Sequence, residues 1–492
     1  MLALVSGVLF PLLFPKFGLY LFFPAVFIPL IIFARTAKNP KKVFFFSWAA
    51  GTAAYLILLY WLYPTLLMND VSPVSAAIGL VLLSLYLGLY WGVFGISVHT
   101  VYNLKMKYAV ILLPCIWVLL EYVKTYMFTG FPWLLTGYCL WKTVVLMQIA
   151  SLTGVYGLSF IVLFVNSALS EAVVRKKVIP ACYAAVVLVL LSIYGLIVIA
   201  GNETREELKV SILQGNISQY KKYNPLYSAE TMDTYRRLHE QAALYSPGLI
   251  VWPETSSPEA LTSTDGLLGS IQGLVDEAGA YEIIGSVELT RGYYYNSAYV
   301  LSPSSSVSEP YRKIHILPFG EYFPFRKYIS FFADIVNDLG DFDNGNEYRL
   351  LKAGDYVIST AICFESIFPG HVRTFFRNGA NLFVNITNDG WFLNTAGPHQ
   401  HLIHDVVRAV ENRTYVIRSA NTGISAVISP SGRIISRTAL LEEGVLNGNV
   451  GKSAGATFYA KHGDIFVYLC MLALLAAVWK ETRCWKTAKT KL

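Results

Sequence analysis

The chain has 492 residues, 54% of them hydrophobic and only 14% charged. Soluble domains carry about a quarter charged residues, so the composition excludes an ordinary globular enzyme or a disordered chain and indicates a membrane protein with room for a soluble part. The formal net charge of +7 comes from basic residues in the breaks between apolar runs, which is a topology signal and gives no reason to invoke nucleic acid.

Taken in chain order, residues 1–200 contain seven apolar runs, at 5–14, 19–34, 43–63, 74–101, 109–127, 144–172 and 178–200, and an eighth lies at 465–479. Most approach the ~20 residues that a helix needs to cross a bilayer. The first two are short and read as a re-entrant pair or one broken helix. Residues 1–14 lack the basic start and small-residue cleavage site of a signal peptide, and are read as retained. Four basic clusters fall on alternate loops: Arg35, Lys38, Lys41 and Lys42; Lys105 and Lys107; Arg175, Lys176 and Lys177; and Lys480, Arg483, Lys486, Lys489 and Lys491. Holding all four inside predicts transmembrane helices over 1–200, an extracytoplasmic domain over 201–461, a last transmembrane helix over 462–480 and a basic cytoplasmic tail over 481–492.

Between 206 and 450 short β-branched runs alternate with amphipathic stretches, the pattern of a layered α/β domain. Strands are predicted at 208–213, 249–252, 281–287, 297–301, 356–363, 382–387, 414–419 and 425–429. Helices are predicted at 229–245, 266–278, 368–378 and 399–412. No internal repeat stands out.

Three residues in this domain sit where chemistry is plausible. Glu254 ends the run Leu249-Ile250-Val251-Trp252-Pro253-Glu254; Pro253 cannot donate to a ladder, so the strand stops and presents a partly desolvated carboxylate at the sheet rim. An exposed loop-end Glu is the plainer reading. Lys313 lies in an aromatic and Pro-rich segment and reads either as a fixed positive charge or as a solvated lysine with its stem on apolar neighbours. Cys363 is the one cysteine of the hydrophilic stretch and ends the run 357–362. It is either a nucleophile, held as thiolate by a following helix, or a small buried hydrophobe. Glu321 and Glu365 are candidate supporting carboxylates for the lysine and for the turn after Cys363. His399, His401 and His404 invite a metal reading, but their spacing is not the i, i+4 pair of a zinc helix and no cysteines accompany them; a helix start with partly exposed imidazoles is the plainer account. Neither G-x-S-x-G nor a P-loop occurs, which removes the serine-hydrolase and nucleotide-hydrolysis readings, and no metal or other cofactor is expected.

The order Glu254, Lys313, Cys363 resembles the Glu-Lys-Cys triad of the nitrilase superfamily. Within it, Gly130-Phe131-Pro132-Trp133-Leu134, Gly154-Val155-Tyr156-Gly157-Leu158, Gln214-Gly215-Asn216-Ile217, Trp252-Pro253-Glu254-Thr255, Pro318-Phe319-Gly320-Glu321, Asn388-Asp389-Gly390-Trp391-Phe392 and Gly397-Pro398-His399-Gln400-His401 resemble the apolipoprotein N-acyltransferase family. The resemblance implies a polytopic helical membrane bundle of about eight helices carrying an αββα nitrilase-like sandwich, in the bacterial inner membrane with the sandwich on the periplasmic side. It implies ping-pong transfer of the sn-1 acyl chain of a phospholipid, typically phosphatidylethanolamine, through a thioester on Cys363 to the α-amine of a diacylglyceryl-cysteine at an apolipoprotein N-terminus. Glu254 is then the base, Lys313 the oxyanion partner, and Glu321 and Glu365 support them. The same triad with water as acceptor gives a membrane-tethered amidase, and a transporter or receptor with a ligand-binding outer domain is a third reading. Both substrates carry acyl chains whose exposure costs ~0.8 kcal/mol per CH₂, so the aromatic stretch 319–336 is expected to guide acyl chains, or else to be an ordinary packed arm. Three positions depart from the family: Phe364 for a Tyr, Tyr223 for a Trp and Gly390 for an Ala.

Overall fold

The computed structural model describes residues 1–69, 71–201, 206–222, 224–261, 265–303, 307–318, 320–322, 342–453 and 455–489. Most of the stretch 319–336 therefore lies outside the described residues, as does Tyr223. Two compact units form, Met1–Ala200 with His462–Leu492, and Gly201–Lys461.

Among the described residues of the first unit, five helices are long and apolar enough to cross a membrane: Pro73–Asn103, Ala109–Tyr126, Val155–Arg175, Ile179–Ala200 and Ile465–Thr482. The pair Pro40–Leu58 and Leu62–Met68, bent by 51°, is apolar enough when taken together, as a broken span or a re-entrant loop. The remaining expected spans are shorter. The runs at 5–14 and 19–34 fold as the helices Leu2–Leu12 and Ile28–Thr36, of 11 and 9 residues, too short to cross alone. Backbone between them needs partners that lipid cannot supply. Asn166, fully buried on helix Val155–Arg175, provides them: its Oδ1 accepts from Phe27 N at 2.8 Å and its Nδ2 donates to Phe23 O at 2.7 Å. Ser6 Oγ accepts from Leu30 N at 3.0 Å. The run at 144–172 breaks at Gly154, whose φ of +64° is the left-handed region glycine tolerates.

The second unit contains twelve described strands: β1 (Leu208–Gln214), β2 (Leu249–Val251), β3 (Tyr281–Thr290), β4 (Tyr293–Leu301), β5 (Tyr311–Arg312), β6 (Leu351–Ala353), β7 (Tyr356–Ile362), β8 (Leu382–Thr387), β9 (Val416–Ala420), β10 (Ala426–Ile428), β11 (Ile434–Arg437) and β12 (Gly444–Val450). They form two six-stranded sheets, β12-β1-β2-β3-β4-β5 and β11-β10-β9-β8-β7-β6. Each has a parallel core, β1-β2-β3 and β7-β8-β9, flanked by antiparallel strands. The two sheets thus share a strand pattern and differ in one connection: β6 leads directly into β7, whereas β12 returns from the end of the domain to pair with β1.

Parallel strands buried on both faces read as unbroken apolar runs, and β2, β8 and β9 are buried at every position. The sheets pack face to face, with Ser419 of β9 bonding the carbonyls of Leu213 in β1 and Val251 in β2 at 3.3 and 3.2 Å. Helices Ser228–Ala243 and Asp265–Ala278 cover the first sheet through Tyr235, Leu238, Ile271 and Val275, which pack with Leu213, Ile250 and Trp252. Helices Pro369–Arg377 and Gly397–Asn412 connect the parallel strands of the second sheet. This is the αββα sandwich, and it turns the carboxyl ends of β2, β7 and β8 into a common rim, the usual place for function in such sheets.

Candidate active site

Glu254 lies three residues beyond β2. Pro253 ends the ladder, and Gly285 of β3 lets the turn lie flat, since a Cβ there would meet Pro253 O at 2.5 Å. The carboxylate is buried, so the exposed loop-end reading is wrong. Its Oε1 accepts from Asn296 Nδ2 at 2.7 Å and lies 3.5 Å from Lys313 Nζ. Its backbone carbonyl accepts from Lys222 Nζ at 2.6 Å.

Lys313 follows β5 and is 1% exposed, which excludes the solvated reading. Its Nζ is 2.8 and 2.9 Å from the two oxygens of Glu321. Burial works against an ammonium, but Glu321 and Glu254, with Cys363, outweigh it and hold the lysine's pKa above its ordinary value. Glu321 is fixed in turn by Leu317 N at 2.7 Å and by Asn296 Nδ2 at 2.9 Å.

Cys363 comes from the opposite sheet. Parallel pairing of Ile362 with Ile386 sets it beside Thr387, whose side chain bonds the thiol. Its φ is +54°, a strained value for a non-glycine residue that turns the chain sharply out of β7. The expectation of a resting thiolate at a helix start is overturned. A 3-10 turn, Cys363–Ile367, follows the cysteine, and the α-helix begins only at Pro369. Burial and the charge of Glu254 push the thiol up, and Lys313 pulls it down only in part. The sulfur rests protonated beside a carboxylate.

Glu365 ties the two sheets' contributions together. Fully buried, it accepts at Oε1 from Ile314 N (2.7 Å), His315 N (3.0 Å) and the Tyr311 hydroxyl (2.8 Å), and at Oε2 from Ile362 N (2.8 Å). One carboxylate thus holds the backbone just after Lys313 and the residue just before Cys363.

Of the three histidines, His401 and His404 are buried, contrary to the expected partly exposed helix start. His404 is pushed well down by burial and stays neutral. Ligand-type atoms of Cys363, Asp389 and His401 lie within 4.8 Å of one another, the arrangement to test for a metal. Arg418 already supplies the positive charge there: its Nη2 is 2.7 Å from Asp389 Oδ2 and 3.0 Å from His401 Nδ1, and its Nη1 is 2.6 Å from Asp405. A cation does not fit beside a buried guanidinium. His401 Nε2 instead lies 3.2 Å from Cys363 O, a pure acceptor, so it carries a proton and fixes the strained turn. Burial raises the Asp389 carboxyl, but Arg418 and His401 prevail and lower it to about 2.

Reading the sequence missed Asn296, Lys222, Asp389 and Arg418 as parts of this site. A lone amide within Tyr293-Tyr294-Tyr295-Asn296-Ser297-Ala298 was a usable signal for the first. Of the departures, Phe364 packs on Phe368 and His315, and an alanine Cβ at Gly390 would meet Asn388 Oδ1 and Thr422 Oγ1 at 3.2 Å, so those groups must shift to admit it.

The arrangement offers a nucleophile, a base and a fixed cation, all buried, which suits acyl transfer through a covalent intermediate. Comparison with known proteins is consistent with that chemistry. The Apolipoprotein N-acyltransferase N-terminal domain family matches residues 6–168, and the Carbon-nitrogen hydrolase family matches residues 209–457. The chain is 37% identical over 497 residues to the apolipoprotein N-acyltransferase of Geobacter metallireducens, covering 97% of this chain and 94% of that one. It is 30% identical to that of Methylococcus capsulatus, covering 94% and 92%. Among solved structures, a CN-hydrolase superfamily protein from Xanthomonas campestris matches at 19% identity and a TM-score of 0.40, over 50% of this chain and 90% of that one.

Proposed function

Because the chain belongs to the apolipoprotein N-acyltransferase family, and so N-acylates lipoproteins with an acyl chain from a phospholipid, we propose that Cys363, Glu254 and Lys313 perform the transfer. It is a membrane-bound acyltransferase. The observation that carries the residue assignment is the convergence of Glu254, Lys313 and Cys363 from two sheets, with the thiol held protonated by burial and by Glu254.

A protonated thiol needs its base at the moment of attack. Glu254 takes the thiol proton as sulfur bonds to the sn-1 ester carbonyl, and Lys313 faces the oxygen that gains charge. Collapse breaks the ester C–O bond, Glu254 returns the proton to the departing glycerol oxygen, and a lysophospholipid leaves a thioester on Cys363. In the second half, the α-amine of the diacylglyceryl-cysteine attacks the thioester and Glu254 takes an amine proton; the C–S bond then breaks and Glu254 passes that proton to the departing sulfur, giving the amide, the free thiol and the carboxylate again. Glu321 and Asn296 keep Lys313 and Glu254 in register throughout, and Glu365 supports the approach of the lysine loop to the cysteine turn.

The donor is read more finely as phosphatidylethanolamine, on the family resemblance. The basic clusters support a periplasmic catalytic domain and a cytoplasmic tail. An amidase that uses water is not favoured, because the similarity runs through the membrane helices as well. The test is mass spectrometry of the purified protein incubated with phospholipid. An acyl adduct on Cys363 is expected, absent from Glu254→Ala, followed by a third acyl chain on an added diacylglyceryl lipoprotein. An adduct elsewhere, or one unaffected by Glu254→Ala, overturns the assignment.

A further inference from the structure

The triad leaves a second buried lysine unexplained. Lys222 is 6% exposed, yet among the described residues its Nζ donates only to the Glu254 carbonyl, at 2.6 Å. An ammonium has three protons to donate. Next to it, Thr255 is 5% exposed, holds a left-handed φ of +43°, and its Oγ1 has no hydrogen-bond partner among the described residues. A strained β-branched residue with an orphaned buried hydroxyl is costly unless something occupies the site in use.

Both side chains line one cavity of about 180 Å³, together with Ser257, Glu259, Leu289 and Tyr294. The cavity therefore begins one residue from Glu254 and carries a cation and a free hydroxyl at that end. We propose that Lys222 and Thr255 form a subsite for the phosphate of the donor lipid, seating its head group beside the base while the sn-1 ester meets Cys363. The subsite rests on the acyl-transfer reading of the triad. A phosphodiester is the only strongly anionic group on either substrate near the reacting ester. Glu259, on the same wall, opposes a second negative charge and accommodates a cationic head.

Burial lowers the Lys222 ammonium to about 8, against the opposing pull of Glu254 and Cys363. The titratable groups facing Lys222 and its cavity are Glu254, Cys363, Glu259 and Tyr294. With a lowered pKa the positive charge is present below about pH 8 and fades as pH rises through that value, so phosphate binding weakens on the alkaline side.

The test uses the full-length protein in mixed micelles with two donors that share acyl chains, a diacyl phospholipid and the corresponding diacylglycerol, and reads acyl-Cys363 formation. Lys222→Met is expected to cut the preference for the phospholipid at least tenfold, the scale of one charge-assisted hydrogen bond, and Thr255→Val severalfold. The wild-type KM for phospholipid rises above pH 8, whereas Lys222→Arg, charged throughout, shows no such rise. Equal losses on both donors overturn the proposal and leave Lys222 as a support for the Glu254 carbonyl. If Lys222→Met does not fold, an unchanged donor preference in Thr255→Val with a flat wild-type KM from pH 7 to 9.5 overturns it equally. No acyl-Cys363 from either donor in the wild type is a different result, which defeats the triad reading itself.

Discussion

Glu365→Gln tests the idea that one buried carboxylate sets the distance between the lysine loop and the cysteine turn. The substitution keeps shape and removes one acceptor. Four donors converge on the native carboxylate at 2.7–3.0 Å, three on Oε1 and one on Oε2. A carboxamide has one oxygen, and its best orientation turns that oxygen to the three and its NH₂ to Ile362 N. That leaves two donors facing each other in a dry site, at about 1–3 kcal/mol, and weakens three charge-assisted bonds to neutral ones. Strain at Cys363 depends on the Ile362 anchor, so the loss falls on the reacting geometry. About 2–4 kcal/mol of barrier corresponds to a rate loss of roughly thirty- to a thousandfold. Single-turnover formation of the Cys363 thioester, followed by quenched mass spectrometry, reads it, with thermal unfolding as a control. A Glu365→Gln rate within threefold of wild type refutes the reasoning, because the four-way anchor would then be dispensable.

Two further outcomes follow from the charges of the site. Glu254→Gln removes a charge that raises the Cys363 thiol, so alkylation of Cys363 by iodoacetamide at pH 8 should speed up severalfold while acyl transfer falls by at least about a hundredfold; slower alkylation would show that Glu254 does not act on the thiol. Asp389, lowered from 3.8 to about 2, contributes on the order of 2 kcal/mol that is present above its unfolded pKa and lost as pH falls from about 4 toward 2. Asp389→Asn should flatten that limb of an acid-unfolding curve and cost a few kcal/mol at neutral pH by stripping Arg418 of one partner, and an unchanged acid limb would count against the pairing.

The fold was most legible where burial is two-sided. The runs that became β1, β2, β7, β8 and β9 are continuous and β-branched, and Pro253 marks the end of one of them. β5, β6, β11 and β12 escaped notice because they are short or, like Gly444-Val445-Leu446-Asn447-Gly448-Asn449-Val450, half exposed and interrupted by Gly and Asn. Hydropathy likewise located the apolar runs of the membrane unit but not their breaks, since an apolar residue remains apolar in a bend. In the run at 19–34 Pro24 interrupts the helix, and the backbone groups freed there are met by Asn166, over 130 residues away. The acidity of the site was unreadable for the same reason. Whether Cys363 rests as thiol or thiolate depends on how deeply the second sheet buries it and on a carboxylate carried by the first.

The division of the site between the two sheets bears on how such an enzyme is made. Glu254 and Lys313 issue from the first sheet and Cys363 from the second, and β12, the last strand of the domain, must return to pair with β1 to complete the first sheet. Glu254 and Lys313 are synthesised before Cys363, so under the proposed roles the thiol gains its base and its oxyanion partner only when the second sheet packs against the first.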